Sequence, residues 1–287
     1  MRTYPNAITG VLIPCWQGEM SNDLAMLECV VNLSEGRDQD VLDQLASVCG
    51  ADLLDRHCDP DHNRSVFTLI GEVAPRALAR EAVARLDLTD HAGAHPRLGV
   101  VDVVPFVPLG EASLDGAVAA RDAFAAWAGR ELLVPCFRYG PERTLPEVRR
   151  RAFVDLEPDT GPLTPHPTAG AACVGARSFL VAYNVWLAEP DLDLARRVAA
   201  AVRSPAVRAL GLACGRRVQV SMNLIDPFTV GPADAFDAVA ARAPVAGAEL
   251  VGLVPAAILD RVPAGRYEEL DLGAERTIES RLARRGT

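Results

Sequence analysis

The sequence contains no lysine, and all 29 of its basic residues are arginine. This absence excludes a Schiff-base lysine, a lysine general base and the lysine of a Walker-type phosphate-binding loop. Aromatic residues are also scarce, at 5% of the 287 residues, and the formal net charge is -9. An acidic chain without a basic tail is not typical of a general nucleic-acid-binding protein.

Long apolar runs and paired cysteines are missing as well. No run approaches the roughly 18 residues that a transmembrane helix needs, so we expect no membrane partner. The seven cysteines are scattered and form no Cys-x-x-Cys pair, which is typical of the reduced, buried thiols of a cytoplasmic protein. Residues 1–25 show no clear period and are interpreted as an irregular N-terminal extension. Their apolar stretch at 11–15 is too short for a signal peptide.

What the sequence does contain is typical of a globular protein, because 49% of its residues are apolar and 23% are charged. The length leaves room for about two domains. In the first half, the order of patterns is strand, helix, strand, strand, helix, strand, which favours a split βαβ arrangement. The predicted strands lie at 27–33, 52–55, 65–70 and 99–107, the helices at 38–49 and 75–86, and a turn at 59–63.

The rest of the chain continues the alternation after a long loop. A helix at 113–129, a short strand at 132–137 and an arginine-rich stretch come first. Residues 157–170 then form a loop with four prolines and two glycines. Further strands are predicted at 178–187, 217–224 and 249–254, and further helices at 191–203, 233–243 and 274–285. We therefore predict an α/β (α+β) fold of two consecutive subdomains, 26–175 and 176–287. Each should be a mixed or antiparallel sheet with helices on one side and a ferredoxin-like order.

Two of the five histidines, His91 and His95, lie in a segment that joins a helix to a buried strand. On a helix, residues four apart share a face, as in some zinc sites, but Gly93 and Pro96 argue against a helix here. Pro96 favours an extended backbone at His95. An extended histidine with Arg97 two residues on suits a general base beside an anion-binding guanidinium. The alternative is a pair of ordinary loop histidines.

Three other regions carry candidate chemistry. Residues 55–64 combine carboxylate, imidazole and thiol groups, but their spacing matches no standard zinc pattern. We therefore predict no metal there, and a structural or substrate-facing turn. Glycines in 160–170 would let backbone amides approach a ligand, unless this segment is a plain linker. Clustered arginines are either sites for a polyanionic small ligand or solvated faces. They lie at Arg143, Arg149–Arg151, Arg196–Arg197 and Arg216–Arg217.

Seven motifs follow one another along the chain. They are Glu28-Cys29-Val30-Val31-Asn32-Leu33-Ser34-Glu35-Gly36, Asp59-Pro60-Asp61-His62-Asn63-Arg64-Ser65-Val66, His91-x-Gly93-x-His95-Pro96-Arg97-x-Gly99, Asp102-Val103-x-Pro105-Phe106-x-Pro108, Gly175-Ala176-Arg177-x-Phe179-Leu180-x-Ala182-Tyr183-Asn184, Val220-Ser221-Met222-Asn223-Leu224 and Glu249-Leu250-Val251-Gly252-Leu253-Val254-Pro255. In this order they resemble the glutamate formiminotransferase family, folate-dependent enzymes of histidine breakdown. The resemblance covers about residues 26–285 and is to the stand-alone transferase unit, without the cyclodeaminase domain of the animal members.

The resemblance implies transfer of a formimidoyl group from N-formimidoyl-L-glutamate to N5 of tetrahydrofolate, the co-substrate, in a groove between two subdomains of a homodimer. It places the catalytic histidine at His95. The candidate substrate-binding residues are Arg97, His62, Asn63 and Arg64. The folate-contacting loop falls on Gly161, Pro162, Leu163, Thr164, His166, Thr168, Ala169 and Gly170. A second folate-linked segment falls on the helix that carries Arg196 and Arg197.

The chemistry of this transfer fits a histidine. N5 must lose a proton as it attacks the amidine carbon, and the leaving glutamate nitrogen must gain one. One histidine that titrates near neutrality can do both, so the reaction requires no metal, redox group or covalent intermediate. Two other functions stay open on the sequence: a folate- or anion-binding paralogue without transfer, and a transferase of the same family with another formimidoyl or formyl donor.

Overall fold

A computed structural model of the protein describes residues 26–89, 91–93 and 97–285. The predicted extension at 1–25 and the candidate base His95, with Pro96 beside it, therefore lie outside the described residues. Within the described ranges, no helix has both the length and the apolar character needed to cross a membrane.

The first sheet is mixed. Its strands are β1 (Met26–Leu33), β2 (Leu53–Asp59), β3 (Arg64–Ile70), β4 (Val101–Leu109), β5 (Cys136–Tyr139) and β6 (Ala172–Ala176). They lie in the order β2-β3-β1-β4-β6-β5. Neighbouring strands from β2 to β4 in this order are antiparallel, whereas β6 is parallel to both of its neighbours, β4 and β5. The helices of this half are α1 (Gln39–Ser47), α2 (Val73–Arg85), α3 (Leu114–Trp127) and α4 (Leu145–Arg151).

The second sheet is antiparallel. Its strands are β7 (Val181–Leu187), β8 (Val207–Cys214), β9 (Arg217–Leu224) and β10 (Val245–Val251), in the order β10-β7-β9-β8. The helices are α5 (Leu192–Val202), α6 (Pro232–Ala240), α7 (Ala256–Leu259) and α8 (Ile278–Arg284). The helices α5 and α6 connect the strands in the same way as α1 and α2 in the first half.

Both halves thus repeat a βαββαβ unit with one strand order, and the first half adds β6 and β5 at its edge. The predicted α/β class, with mixed and antiparallel sheets and a ferredoxin-like order, is confirmed. The last strand of the first sheet ends at Ala176 and the first strand of the second begins at Val181. The domain bounds 26–175 and 176–287 themselves stay a prediction.

Because side chains alternate along a strand, one face of each sheet packs under helices and the other carries most of the buried polar residues. In β1, Cys29, Val31 and Leu33 are fully buried in the core beneath α1, α2 and α3. Their neighbours Glu28 and Asn32 lie on the opposite face. The second sheet repeats this pattern, with Val218, Val220 and Met222 of β9 in the core under α5 and α6. The helix α4 differs, since it packs at β5 on the other face of the first sheet.

The face of the first sheet that lies opposite α1, α2 and α3 meets the face of the second sheet that lies opposite α5 and α6. Leu54 and Ile70 of the first sheet form one apolar cluster with Leu253, Ile278 and Leu282 of the second half. This cluster fixes α8 against β2 and leaves the polar parts of both faces beside it. The fold therefore gathers polar residues from two sheets at one interface.

Several local predictions were wrong. Residues 128–132 form a π-helical turn and β5 begins only at Cys136, so the strand predicted at 132–137 is displaced. The strands β6 and β8 and the helix α4 were missed. Both strands are rich in alanine and glycine, which lack the branched or aromatic side chains that identify a strand. The helix α4 is short, and its capping box at Thr144 and Glu147 was its main sequence signal.

Candidate functional site

The turn between β2 and β3 is held on both sides. Asp59 Oδ1 accepts hydrogen bonds from the backbone of Asp61 (2.8 Å) and His62 (2.9 Å), which closes the turn. Asn63 has a left-handed backbone, with φ 47°, and its side chain accepts from the Gly36 backbone at 3.0 Å. Its amide also donates to the carbonyl of Ala92 at 3.2 Å. The turn is thereby fixed against the segment that carries His91.

His91 and Arg97 lie over this turn. His91 Nε2 is 3.0 Å from the carbonyl oxygen of Asn63, and Arg97 Nη1 contacts both ring nitrogens of His91. In the tautomer that donates from Nε2 to Asn63, Nδ1 accepts from Arg97. Arg97 also donates to the carbonyl of His62 at 3.4 Å. Burial, and then the Arg97 charge, lower the pKa of His91. The lowered pKa favours a neutral His91 imidazole at neutral pH, in contact with the Arg97 guanidinium.

One buried carboxylate, Asp102, pairs with Arg149 and lies near Arg64 and Arg97. Asp102 lies in β4 and is 3% exposed. Its carboxylate accepts hydrogen bonds from Arg149 at 2.6 Å and from the Leu98 backbone at 2.8 Å. Arg64 donates to the side chain of Asn32. Burial lowers the pKa of Arg64 to about 10, with Arg149 and Arg97 adding to the shift and Asp102 opposing it. Guanidinium groups clustered in this way supply the charged donors that pair well with a carboxylate ligand.

The end of the predicted folate loop lies beside this site. The Thr168 carbonyl accepts from Leu88 at 2.8 Å, and the Ala169 carbonyl accepts from Val100 at 3.0 Å. Gly170 forms a bridge with Gly99. Inside the loop, His166 Nδ1 accepts from the backbone of Thr168 and Ala169, at 3.3 and 3.0 Å. The backbone of Thr168, Ala169 and Gly170 therefore runs alongside the segment that contains Arg97.

The start of the loop lies elsewhere. A Cβ atom on Gly161 would come within 3.1 Å of Gly129, and its φ is +85°, so this glycine packs against the turn after α3. Pro162 is half-buried, whereas Leu163 and Thr164 are exposed. The predicted folate loop is therefore divided between two places in the fold.

Arg196 and Arg197 are not brought to the site. Both are exposed on α5, and Arg196 pairs with Asp193 of the same helix at 3.2 Å. The helix α5 covers the apolar face of the second sheet. The site lies against the opposite face of that sheet, so β8 and β9 separate it from these arginines.

The second sheet adds residues that the sequence reasoning did not connect to the site. His62 Nε2 lies 2.8 Å from Cys214 Sγ and 3.4 Å from the Gln219 amide. Burial, with Asp59 and Asp61 nearby, raises the pKa of the Cys214 thiol to about 12, so the thiol stays protonated at neutral pH. His62 is thus enclosed between the turn and the ends of β8 and β9.

A second contact between the sheets joins His57 Nε2 to Glu249 Oε1 at 3.4 Å. Glu249 had a sequence signal, since it begins one of the collinear motifs, but no pattern linked it to a residue 192 positions earlier. Asp102 also had a signal, a lone carboxylate inside an apolar strand. For Cys214 and Gln219 no sequence signal was present.

In the ranges that the structure describes, no group of three or more histidine, cysteine or acidic side chains is placed to hold a metal ion. Because His95 lies outside those ranges, the prediction of a metal-free protein stays a prediction.

The chain is similar to known proteins over most of its length. Residues 26–177 match the family model for the formiminotransferase domain, N-terminal subdomain. The chain is 36% identical over 270 residues to a glutamate formimidoyltransferase of Streptococcus pyogenes serotype M1, covering 82% of this chain and 90% of the relative. A glutamate formimidoyltransferase of Thermoplasma acidophilum is 34% identical, with 81% and 89% covered. A formimidoyltransferase-cyclodeaminase of Sus scrofa is 34% identical, and the match spans 51% of that longer protein.

Proposed function

Because the chain belongs to the formiminotransferase family, we propose that it transfers a formimidoyl group from N-formimidoyl-L-glutamate to N5 of tetrahydrofolate. The observation that carries this proposal is the match to stand-alone glutamate formimidoyltransferases over about nine-tenths of their length. The resemblance read from the sequence motifs leads to the same family. Tetrahydrofolate is a co-substrate in this proposal, and the reaction needs no metal.

The charges of the site support two ligands that carry carboxylates. Arg149 pairs with Asp102, and Arg64 and Arg97 lie near enough to feel its charge, so guanidinium groups are concentrated here in a protein whose formal net charge is -9. A local positive site in an acidic protein attracts and orients anions. In the proposed role, Arg97 and Arg64 bind substrate carboxylates, while His62 and Asn63 hold the turn beneath them.

We assign the acid–base role to His95. The reaction removes a proton from N5 as the new C–N bond forms and returns a proton to the glutamate nitrogen as the old C–N bond breaks. Each of the four described histidines already has a hydrogen-bonding or ion-pair partner. His57 pairs with Glu249, His62 with Cys214, His91 with Arg97 and His166 with its own loop. The assignment to His95 is supported by the family motif His-Pro-Arg, whose histidine falls on this residue.

The folate-binding role is proposed for the loop that ends at Gly170, because Thr168 and Ala169 run beside the Arg97 segment. Arg196 and Arg197 lie on α5 beyond the second sheet, and a folate contact there follows from the family resemblance alone. A homodimer and a cytoplasmic location are also proposed, on the family resemblance and the reduced-thiol pattern. Light scattering of the purified protein tests the dimer.

The direct test is to incubate the protein with tetrahydrofolate and N-formimidoyl-L-glutamate, and to separate the folate products by chromatography. We expect 5-formimidoyl-tetrahydrofolate and one glutamate for each product formed. Folate binding without any product would instead favour a binding paralogue. Product from a different formimidoyl or formyl donor only would favour the third function.

A further inference from the structure

A row of polar side chains crosses the helix-free face of the second sheet. Glu249 of β10 pairs with Asn184 of β7, and Asn184 pairs with Ser221 of β9. Residues paired in this way present their side chains on the same face. Leu250, the next residue of β10, is fully buried in the core on the other face. The row therefore faces the first sheet and the site residues that the first sheet carries.

Glu249 is the charged member of this row, and its two oxygens are held from different sides. Oε1 lies 3.4 Å from His57 Nε2, and Oε2 accepts from the Asn184 amide at 2.9 Å. A carboxylate offers about four lone-pair positions, so these contacts leave room for two more N–H donors. The side chain is 24% exposed, which lets a ligand reach it.

The carboxylate stays ionised at neutral pH. Burial by itself raises the pKa of Glu249, but the hydrogen bonds from His57 and Asn184 and the nearby Arg217 charge outweigh burial, and the pKa lies below its usual range. A partly buried, ionised carboxylate makes stronger hydrogen bonds than a neutral acceptor.

A continuous row of paired residues connects Glu249 to the arginines. His57 pairs with Val66, and Val66 pairs with Asn32. Asn32 in turn accepts a hydrogen bond from Arg64. The same interface thus presents anion-binding guanidinium groups at one end and a fixed carboxylate at the other. It suits a ligand that has both carboxylates and a pair of N–H donors.

We infer that Glu249 binds an N–C–N edge with two N–H donors, of the amidine type, and that His57 is the residue that positions this carboxylate. The inference rests on the proposed function, because both of its substrates carry such an edge. One is the amidine of the formimidoyl group, and the other is the 2-amino-pyrimidinone ring of tetrahydrofolate. A carboxylate receives either edge through two parallel N–H···O hydrogen bonds.

The test is the variant Glu249→Gln, which keeps the shape of the side chain but places an amide N–H against the ligand's donors. Its Kd values for tetrahydrofolate and for N-formimidoyl-L-glutamate are measured separately by anaerobic calorimetry. Losing charge-assisted hydrogen bonds should weaken one ligand by about 10–100-fold. The other ligand should change by less than about threefold. The ligand that is weakened identifies the edge that Glu249 binds, and Glu249→Asp should restore part of its affinity.

The matched control is Glu189→Gln, the same substitution at an exposed position, which should leave both Kd values unchanged. Values for Glu249→Gln that equal those of the control overturn the inference. An equal loss for both ligands also overturns it, since that indicates a general structural role. A wild-type protein that binds neither ligand overturns the proposed function as well. If the wild type turns over normally and Glu249→Gln leaves both Kd values unchanged, only the inference about Glu249 is rejected.

The role of His57 is tested through a pH profile. In His57→Gln, the carboxylate loses its imidazole partner, so its pKa rises. The affinity for the ligand identified above should then fall as the pH is lowered from 8 to 5.5, more steeply than in the wild type. In the double variant with Glu249→Gln this extra pH dependence should disappear. A His57→Gln profile parallel to that of the wild type contradicts the positioning role.

Discussion

At the scale of single residues, the two neighbouring histidines have different roles in the proposed reaction. The variant His95→Ala should lower turnover by about 10²–10⁴-fold, the usual effect of losing an acid–base group, while tetrahydrofolate still binds. His91→Ala should have a smaller effect, because the lowered pKa of His91 favours a neutral imidazole that already contacts Arg97. Steady-state kinetics and folate titration of both variants check this. Near-normal turnover of His95→Ala together with an inactive His91→Ala would show that the base is His91.

Arg97 should act mainly on affinity. Its guanidinium contacts His91 and the His62 carbonyl, and a bound carboxylate would add a charge-assisted hydrogen bond. We expect Arg97→Ala to raise the KM for N-formimidoyl-L-glutamate by about 10–100-fold, with a smaller change in kcat. The control is Arg130→Ala, where the side chain is 69% exposed and the kinetics should not change. A fall in kcat with an unaltered KM would contradict the binding role.

Glu28 should make the stability of the protein depend on pH. It is 2% exposed in β1, and burial raises its pKa from 4.5 to about 7, with Glu279 adding to the rise and Arg177 opposing it. The pKa of Glu28 is higher in the folded state than in the unfolded state. The contribution of Glu28 to the free energy of unfolding is therefore fully present below pH 4.5 and is lost as the pH rises through 7. From pH 4.5 to 8, the free energy of unfolding of Glu28→Gln should gain about 3 kcal/mol relative to the wild type. Urea unfolding at both pH values measures this, and equal pH slopes for the two proteins would refute it.

Much of the site at this scale could be predicted from the sequence, and part could not. The motif around Asp59 and Arg64 predicted a turn, either structural or substrate-facing, because its residue types form turns by their own local hydrogen bonds. The structure contains this turn. Contacts such as His62 with Cys214 depend on how two sheets meet. No local pattern contains that information, since the partners are separated by 152 positions.

At the scale of elements, the segment before β4 depends on a close backbone approach. A Cβ atom on Gly93 would lie 2.2 Å from the His62 carbonyl oxygen, and a backbone atom cannot move aside as a flexible side chain does. Gly93→Ala should therefore displace the segment from the β2–β3 turn and reduce kcat/KM by at least about tenfold. Gly265→Ala is the matched control, because nothing lies within 4 Å of its added Cβ. Wild-type kinetics for Gly93→Ala would show that this approach is not needed.

The elements also show what periodicity can and cannot predict. The strand β4 was predicted because residues 99–107 form a near-continuous apolar run. The strand β8, Val-Arg-Ala-Leu-Gly-Leu-Ala-Cys, alternates between buried and exposed positions only partly. It is a strand because it pairs with β9 over its whole length. Tertiary pairing of this kind overrides weak local propensity.

At the scale of the whole molecule, the two sheets are joined by a small apolar cluster. Ile278 is 3% exposed and packs with Leu54 and Ile70 of the first sheet. Ile278→Ala should lower the free energy of unfolding by about 2–4 kcal/mol, as for other buried large-to-small substitutions. Leu210→Ala, at a side chain that is 49% exposed, should cost less than about 1 kcal/mol. Denaturant unfolding compares them, and similar losses would mean that the cluster does not stabilise the molecule.

The central claim is that this interface performs formimidoyl transfer, and following the transferred carbon tests it most directly. The protein is mixed with tetrahydrofolate and N-formimidoyl-L-glutamate carrying ¹³C in the formimidoyl group, and NMR follows the label. We expect the label to move from the glutamate nitrogen to N5 of tetrahydrofolate, without passing through free formate or formamide, and His95→Ala to slow this transfer by about 10²–10⁴-fold. A label that stays on glutamate while tetrahydrofolate is bound, or that appears as free formate or formamide, would contradict it.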